Sequence, residues 1–97
     1  PTPDGSVVDL VATLRDAPSK DDINEALREA ANGPMKGILG CCEDPMVSRD
    51  VIGDSHSSLV DTELTMTMGN QAKVISWYDN EWGYSCRVVD LAQKLLP

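Results

Sequence analysis

The stretch LTMTMGNQAKVISWY, residues 64–78, is typical of a β-hairpin. Residues 64–68 alternate apolar side chains with threonine, and residues 73–78 continue in a strand-like pattern. Gly69 and Asn70 lie between these segments and suit a tight turn, because glycine readily adopts the positive φ that such turns require. The stretch therefore predicts two antiparallel strands joined by a short turn.

Two more strands are predicted upstream of the hairpin. Residues 6–14 alternate, with Val8, Leu10, Ala12 and Leu14 on one face. Alternation rich in β-branched residues predicts a strand with one strongly buried face. Residues 35–42 are short and apolar and predict a second, buried strand.

Two helices are predicted, one on each side of the hairpin. Ser19 with Asp22 fits an acidic capping box, and the Gly33-Pro34 pair ends the first helix with a C′ glycine. Its apolar stripe consists of Ile23, Ala26, Leu27, Ala30 and Ala31. The second helix is predicted over about residues 81–96, with a cap available from Asp79 or Asn80. Its stripe consists of Val88, Leu91, Ala92 and Leu95, widened by Val89 and Leu96.

These elements predict an α+β fold with a mostly antiparallel or mixed sheet and two helices. Residues 43–58 lack periodicity and predict a loop, with a short extended piece around residues 46–48. Only one strand–helix–strand unit is visible, which disfavours a doubly wound sheet. The length of 97 residues corresponds to one domain, residues 1–97.

Composition and charge narrow the function classes. A net charge of −8 repels phosphate backbones and anionic lipid, so we expect neither nucleic acid nor membrane as a partner. Cys41, Cys42 and Cys86 make an odd number, and adjacent cysteines on a strand point to opposite faces. Free thiols in a reducing compartment are the simpler interpretation, and the spacing gives no zinc-binding pattern. We therefore predict no metal site.

All four aromatic residues lie within residues 77–84, around an Asp-Asn-Glu insert. Asn80 can donate and accept hydrogen bonds at once, so it suits recognition of another amide. Convergent polar groups among rings favour a binding pocket. The alternative is an Asp or Asn helix cap with packed aromatic rings, and residue types alone favour this second interpretation.

A family resemblance favours the binding site over the helix cap. WYDNEWGYS at residues 77–85, followed by RVVDL at residues 87–91, resembles the C-terminal signature of phosphorylating glyceraldehyde-3-phosphate dehydrogenases. The resemblance continues in collinear order over essentially the whole chain. It includes PTPDGSVVDL (1–10), EALREAA (25–31), KGILG (36–40) and DSHSS (54–58).

The resemblance implies an NAD- or NADP-dependent enzyme that converts glyceraldehyde 3-phosphate and phosphate to 1,3-bisphosphoglycerate. A histidine-activated cysteine attacks the aldehyde, and the cofactor accepts the hydride. Asn80 matches the asparagine that binds the nicotinamide carboxamide, and Tyr84 matches a tyrosine close to the same ring. Glu81, Trp77 and Trp82 match signature positions that we interpret as structural. The implied assembly is a homotetramer in the cytoplasm, with the plastid as the alternative compartment.

The family's catalytic residues are not found in these 97 residues. No Ser-Cys-Thr-Thr-Asn motif occurs, Cys86 is followed by Arg87 and Val88, and His56 does not match the catalytic base. The glycine-rich dinucleotide fingerprint is missing too. The resemblance implies that residues 1–97 are the C-terminal portion of the catalytic domain, ending in the helix at about residues 81–96. We therefore expect the dinucleotide-binding domain to lie outside the chain, and the 97 residues alone to be inactive. Two hypotheses remain: part of a dehydrogenase, or a non-catalytic module that acts by assembling with other chains.

Overall fold

A computed structural model of the chain describes residues 4–45 and 47–96. The strands are β1 (Ser6–Thr13), β2 (Leu39–Cys42), β3 (Ser58–Asp61), β4 (Met66–Met68) and β5 (Gln71–Tyr78). The helices are α1 (Lys20–Asn32), α2 (Ser48–Val51) and α3 (Trp82–Leu95), and a 3₁₀ helix spans Thr62–Leu64.

The predicted hairpin is confirmed as β4 and β5. Met68 lies opposite Gln71, so Gly69 and Asn70 form a two-residue turn. Gly69 has a φ of 59°, and Asn70 is not among the residues with positive φ. A positive φ at the first central residue alone is the pattern of a type II′ turn, which matches the right-handed twist of the strands.

The sheet is mixed, and β5 lies at its centre. β1 pairs antiparallel with β5 along its whole length, from Ser6 opposite Tyr78 to Thr13 opposite Gln71. The other side of β5 pairs antiparallel with β4 and β3, and β2 pairs parallel with β3. The strand order is therefore β1-β5-β3-β2 with β4 beside β5, which confirms the α+β class with a mixed sheet.

The first helix forms as its cap signals predict, but its burial differs. The Ser19 side chain accepts from the Asp22 N–H, and the Asp22 carboxylate accepts from the Ser19 N–H. Gly33 follows the last helical residue, Asn32, so the helix ends at the predicted glycine, with a φ of −125°. Ala26 of the predicted stripe is exposed, whereas the polar Asn24 is the buried residue of α1.

Asn24 is buried because the 3₁₀ helix supplies its hydrogen-bond partners. Its Nδ2 donates to the Thr62 carbonyl at 2.9 Å, and its Oδ1 accepts from the Thr65 hydroxyl at 2.7 Å. Thr62 in turn donates from its hydroxyl to the Cys42 carbonyl at 3.1 Å. This buried network joins α1 to the segment after β3, and apolar periodicity cannot predict it.

The predicted buried face of β1 is wrong. Val7, Val8, Leu10 and Val11 point to both faces of the sheet, and each is between 47% and 60% exposed. β1 is an outer strand of the described sheet, and no described strand covers its free edge. The apolar side chains of β1 do alternate as predicted, but the described residues supply no surface that covers them. The stripe of α3 is exposed for the same reason, although the helix itself is confirmed.

Two other segments differ from prediction. The strand predicted over residues 35–42 is limited to β2, and its first half forms turns. Residues 43–58 contain the one-turn helix α2 rather than loop alone, because Val51 inserts into the core and the Asp50 carboxylate accepts from the Val47 N–H. The described residues therefore form three α-helices, not two. The extended piece predicted around residues 46–48 includes Met46, which lies outside the described residues.

The core of the described chain is small. Its buried apolar residues are Leu39, Val51, Val60 and Ala72. The described residues form a flat body of 46 × 38 × 21 Å with a radius of gyration of 14.6 Å. A compact domain of this length has a radius of gyration of about 13 Å. The flatness agrees with a sheet whose outer strand is uncovered.

Candidate functional site

The candidate site lies where β5 ends and α3 begins, and Asp79 organises it. Asp79 is only 5% exposed. Its Oδ2 accepts from the Gly53 N–H at 2.8 Å, and its Oδ1 accepts from the Glu81 and Trp82 N–H groups at 3.2 Å each. Those two amides belong to Glu81, the N-cap residue of α3, and to Trp82, its first helical residue, where backbone N–H groups lack helical partners. The prediction that Asp79 or Asn80 is the cap residue is wrong, because the helix begins one residue later than expected; Asp79 instead binds these N–H groups from outside the helix.

These contacts favour the ionised form of Asp79. The Gly53 N–H, followed by those of Trp82 and Glu81, holds the pKa of Asp79 below its usual range. The Asp4 side chain contributes in the same direction, whereas burial opposes the shift. A carboxylate that accepts several backbone hydrogen bonds is stabilised in its charged state. Asp79 is therefore a buried, negatively charged carboxylate, held in place at the N-terminus of α3.

Asn80, the residue after Asp79, is exposed. Its Oδ1 accepts from the Ser6 hydroxyl at 2.5 Å, and its backbone N–H donates to Asp4 Oδ1 at 3.3 Å. Its carboxamide nitrogen makes no hydrogen bond within residues 4–45 and 47–96. The side chain is therefore held through its oxygen and offers Nδ2 as a donor to a ligand.

Tyr84 lies one helical turn beyond Asn80, as the third residue of α3. It is 74% exposed, so nothing described covers its ring. The structure brings the two predicted cofactor residues to the same end of α3, four positions apart in sequence. No hydrogen bond joins their side chains in the described part of the chain.

The tryptophans of the signature differ in burial. Trp77 lies in β5 opposite Val7, and its indole nitrogen is buried without a described hydrogen-bond partner. Trp82, the first residue of α3, is half exposed. Structural roles for Trp77, Trp82 and Glu81 stay predictions, since packing of an exposed ring needs a surface that the described residues do not supply.

The loop before β3 supports α3 at two points. Gly83 is buried against the His56 carbonyl, and the Arg87 guanidinium donates to the Ser57 hydroxyl at 3.1 Å. The His56 ring is held by Asp54, whose Oδ1 is 2.7 Å from Nδ1. Sequence reasoning missed Gly83 and Arg87 as supports of the site. Their only signal was membership of the aromatic signature and the segment that follows it.

The structure gives no sign of an activated thiol at Cys41. Burial, which outweighs the lowering effect of Arg28, raises the pKa of the Cys41 thiol. All three cysteines are free. Among the residues that the structure describes, no three potential His, Cys, Asp or Glu ligands come together to hold a metal ion. Within that same part of the chain, no helix has the length and apolar character to cross a membrane.

The fold and this junction define an α+β domain with a mixed sheet, in which Asp79 and Asn80 lie between the central strand β5 and the exposed helix α3. The family model described as glyceraldehyde 3-phosphate dehydrogenase, C-terminal domain, matches residues 1–80. The chain belongs to this family. The predicted resemblance is thereby confirmed.

Individual relatives extend the similarity to nearly the whole chain. A glyceraldehyde-3-phosphate dehydrogenase of Priestia megaterium is 60% identical over 98% of this chain and 29% of its own length. One of Mycolicibacterium smegmatis is 57% identical over 94% of this chain and 27% of its own length. The chloroplastic enzyme GAPB of Arabidopsis thaliana is 56% identical over 95% of this chain and 21% of its own length. The chain thus spans between a fifth and a third of the relatives it matches.

Proposed function

We propose that the chain is part of an NAD- or NADP-dependent oxidoreductase that converts glyceraldehyde 3-phosphate and phosphate to 1,3-bisphosphoglycerate, in glycolysis or related carbon metabolism. The observation that carries the proposal is the collinear similarity to proteins named glyceraldehyde-3-phosphate dehydrogenase, at 57–60% identity over 94–98% of the chain for the bacterial relatives. The nucleophile, its base and the dinucleotide-binding domain belong to the rest of that enzyme.

The described residues fit a nicotinamide at the start of α3. Asn80 presents a free Nδ2 donor, which suits the oxygen of a carboxamide, while the Ser6 hydroxyl already occupies Oδ1. Tyr84 exposes a ring at the same end of the helix. When bound, the nicotinamide accepts the hydride. The role of this chain is to orient the ring, because none of these residues is placed to move a proton or attack a carbonyl.

The proposed assembly is a homotetramer in which the remainder of the dehydrogenase chain covers the exposed apolar residues. A cytoplasmic location is proposed with the plastid as the alternative, since one similar protein is named chloroplastic. Which of NAD and NADP is used depends on the dinucleotide-binding domain.

The test is a hybrid enzyme in which these 97 residues replace the matching segment of the Priestia megaterium relative. We expect the hybrid to form NADH from glyceraldehyde 3-phosphate and phosphate, and Asn80→Ala to weaken NAD⁺ binding about fivefold through loss of one hydrogen bond. The unmodified relative is the control for assembly. A hybrid that assembles without activity contradicts the proposal. So does one that fails to assemble under conditions where the relative does.

A second candidate function, a module that acts only by assembly, is favoured by the exposure of β1. An outer strand with apolar side chains on both faces is a surface on which other strands pair. In this case the purified chain self-associates, which light scattering detects. Val7→Lys and Val11→Lys, both on one face of β1, then reduce the association, while the matched change Thr67→Lys on β4 does not. A chain that stays monomeric at high concentration contradicts this function.

A further inference from the structure

We propose that Asp79 is a positioning residue for Asn80: it fixes the backbone on both sides of the carboxamide and ties it to the loop at Gly53. The inference rests on the proposed function, in which Asn80 binds the nicotinamide carboxamide. It assigns a task to a residue that touches no ligand itself.

The first argument is the arrangement of hydrogen bonds around Asn80. Asp79 precedes Asn80 in sequence, and its Oδ1 binds the N–H groups of the two residues that follow Asn80. The carboxylate therefore closes a tight loop of which Asn80 is the outermost residue. Since the backbone of Asn80 is clamped at both ends, its side chain leaves the chain in a fixed direction.

The second argument is the position of Asp79 between the central strand and the loop at Gly53. Asp79 directly follows β5, the central strand, and its Oδ2 binds the Gly53 N–H. Gly53 lies two residues after Val51, which is only 1% exposed. Gly53 also has a φ of 81°, a conformation that side-chain-bearing residues rarely adopt. The loop that holds Asp79 is thus itself fixed by the core and by a specific backbone conformation.

The third argument is burial. The other contacts to Asn80 come from Asp4 and Ser6, and both hydrogen bonds are exposed to water. Asp79 is shielded, so its hydrogen bonds do not compete with water to the same extent. We infer that Asp79 contributes most to fixing the position of Asn80, and that Ser6 and Asp4 contribute less.

The experiment compares two ligands in the hybrid enzyme, because a positioning effect and a general loss of structure act on them differently. NAD⁺ contains the nicotinamide, and ADP-ribose lacks it. For Asp79→Ala we expect the dissociation constant of NAD⁺ to rise about three- to tenfold, the scale of one hydrogen bond, with that of ADP-ribose unchanged. Calorimetric titration measures both. Asp79→Asn keeps one acceptor oxygen and is expected to restore part of the NAD⁺ affinity.

The matched control is Asp61→Ala. Asp61 is also a buried aspartate, and its Oδ1 accepts from the Glu63 N–H in the cap of the 3₁₀ helix. We expect it to leave both affinities unchanged. Amide hydrogen exchange gives a readout without ligand: Asp79→Ala accelerates exchange at Glu81 and Trp82, and Asp61→Ala accelerates it at Glu63.

Each possible result either supports or overturns the inference. Equal loss of both ligands in Asp79→Ala means a structural role only and overturns the inference. Unchanged affinities in Asp79→Ala, with Asn80→Ala still weakening NAD⁺, overturn the inference and leave the proposed function standing. Unchanged NAD⁺ affinity in Asn80→Ala removes the proposed cofactor contact itself. If Asp79→Ala does not fold, Asp79→Asn carries the same comparison, and an unchanged ratio of the two dissociation constants then overturns the inference.

Discussion

Gly83 of α3 packs against the loop before β3, and replacing it with alanine tests that contact. A Cβ at this position would lie 2.7 Å from the His56 carbonyl oxygen and 3.3 Å from the Ser57 Cα. Neither backbone atom is free to move. The His56 N–H donates to Asp54 Oδ1 at 2.8 Å, and the Ser57 N–H donates to the Ile38 carbonyl at 2.8 Å.

The expected loss of stability follows from two opposing terms. Forcing an extra methyl group into a packed contact costs about 1–3 kcal/mol, and the upper end applies because the obstacle is anchored backbone. Alanine is favoured over glycine in a helix by at most about 1 kcal/mol, which offsets part of that cost. The net destabilisation of the contact between α3 and the loop is about 2 kcal/mol. A loss of this size corresponds to about thirtyfold faster hydrogen exchange of the amides that the contact protects.

Amide hydrogen exchange of the hybrid enzyme measures this directly, on peptides that cover the first turns of α3. The control is Ser85→Ala, an exposed position of the same helix that gains helix propensity without meeting a neighbour. We expect slightly slower exchange for Ser85→Ala and much faster exchange for Gly83→Ala. Unchanged or slower exchange in Gly83→Ala would refute the reasoning that the His56 carbonyl excludes a side chain.

Three further predictions follow from the described contacts. Asn24→Ala leaves the Thr62 carbonyl and the Thr65 hydroxyl buried without a partner and lowers the free energy of unfolding by about 2–4 kcal/mol in urea titrations of the hybrid. The paired change Asn24→Leu with Thr65→Val loses less, because it leaves only the Thr62 carbonyl without its partner. The depressed pKa of Asp79 means that its stabilising effect is present above the pKa of an unfolded aspartate and is lost as the pH falls through the lower, folded pKa. Tryptophan fluorescence in an acid titration should therefore change at a pH below the usual aspartate range, and the transition should vanish in Asp79→Asn. Finally, the 97 residues alone should form no NADH from glyceraldehyde 3-phosphate and phosphate, and detectable turnover by the purified chain would contradict the assignment of catalysis to the rest of the enzyme.

Several elements could be predicted from sequence because their determinants are local. The hairpin follows from alternation on either side of Gly69, and the start of α1 from Ser19 and Asp22, three positions apart. The candidate cofactor residues came instead from the family signature, since residue types alone favoured a cap.

No comparable local signal in the sequence predicts β3 or the buried position of Asn24. β3 pairs with β2 and β5, which lie on either side of it in the chain, and no local pattern distinguishes Ser58–Asp61 from the loop before it. Asn24 is buried only because Thr62 and Thr65 satisfy its amide from about forty positions away. Contacts between distant residues decide such features, and spacing within one segment does not encode them.

By itself, the sequence determined the secondary structure near its caps and turns and the family to which the chain belongs. Only the tertiary structure decided which apolar faces are covered. The alternation in β1 is that of a buried strand, yet its side chains are exposed, because burial requires a covering surface and the described residues supply none. The tertiary structure likewise joins Gly53 to Asp79 across 26 positions, through a hydrogen bond that no local pattern encodes.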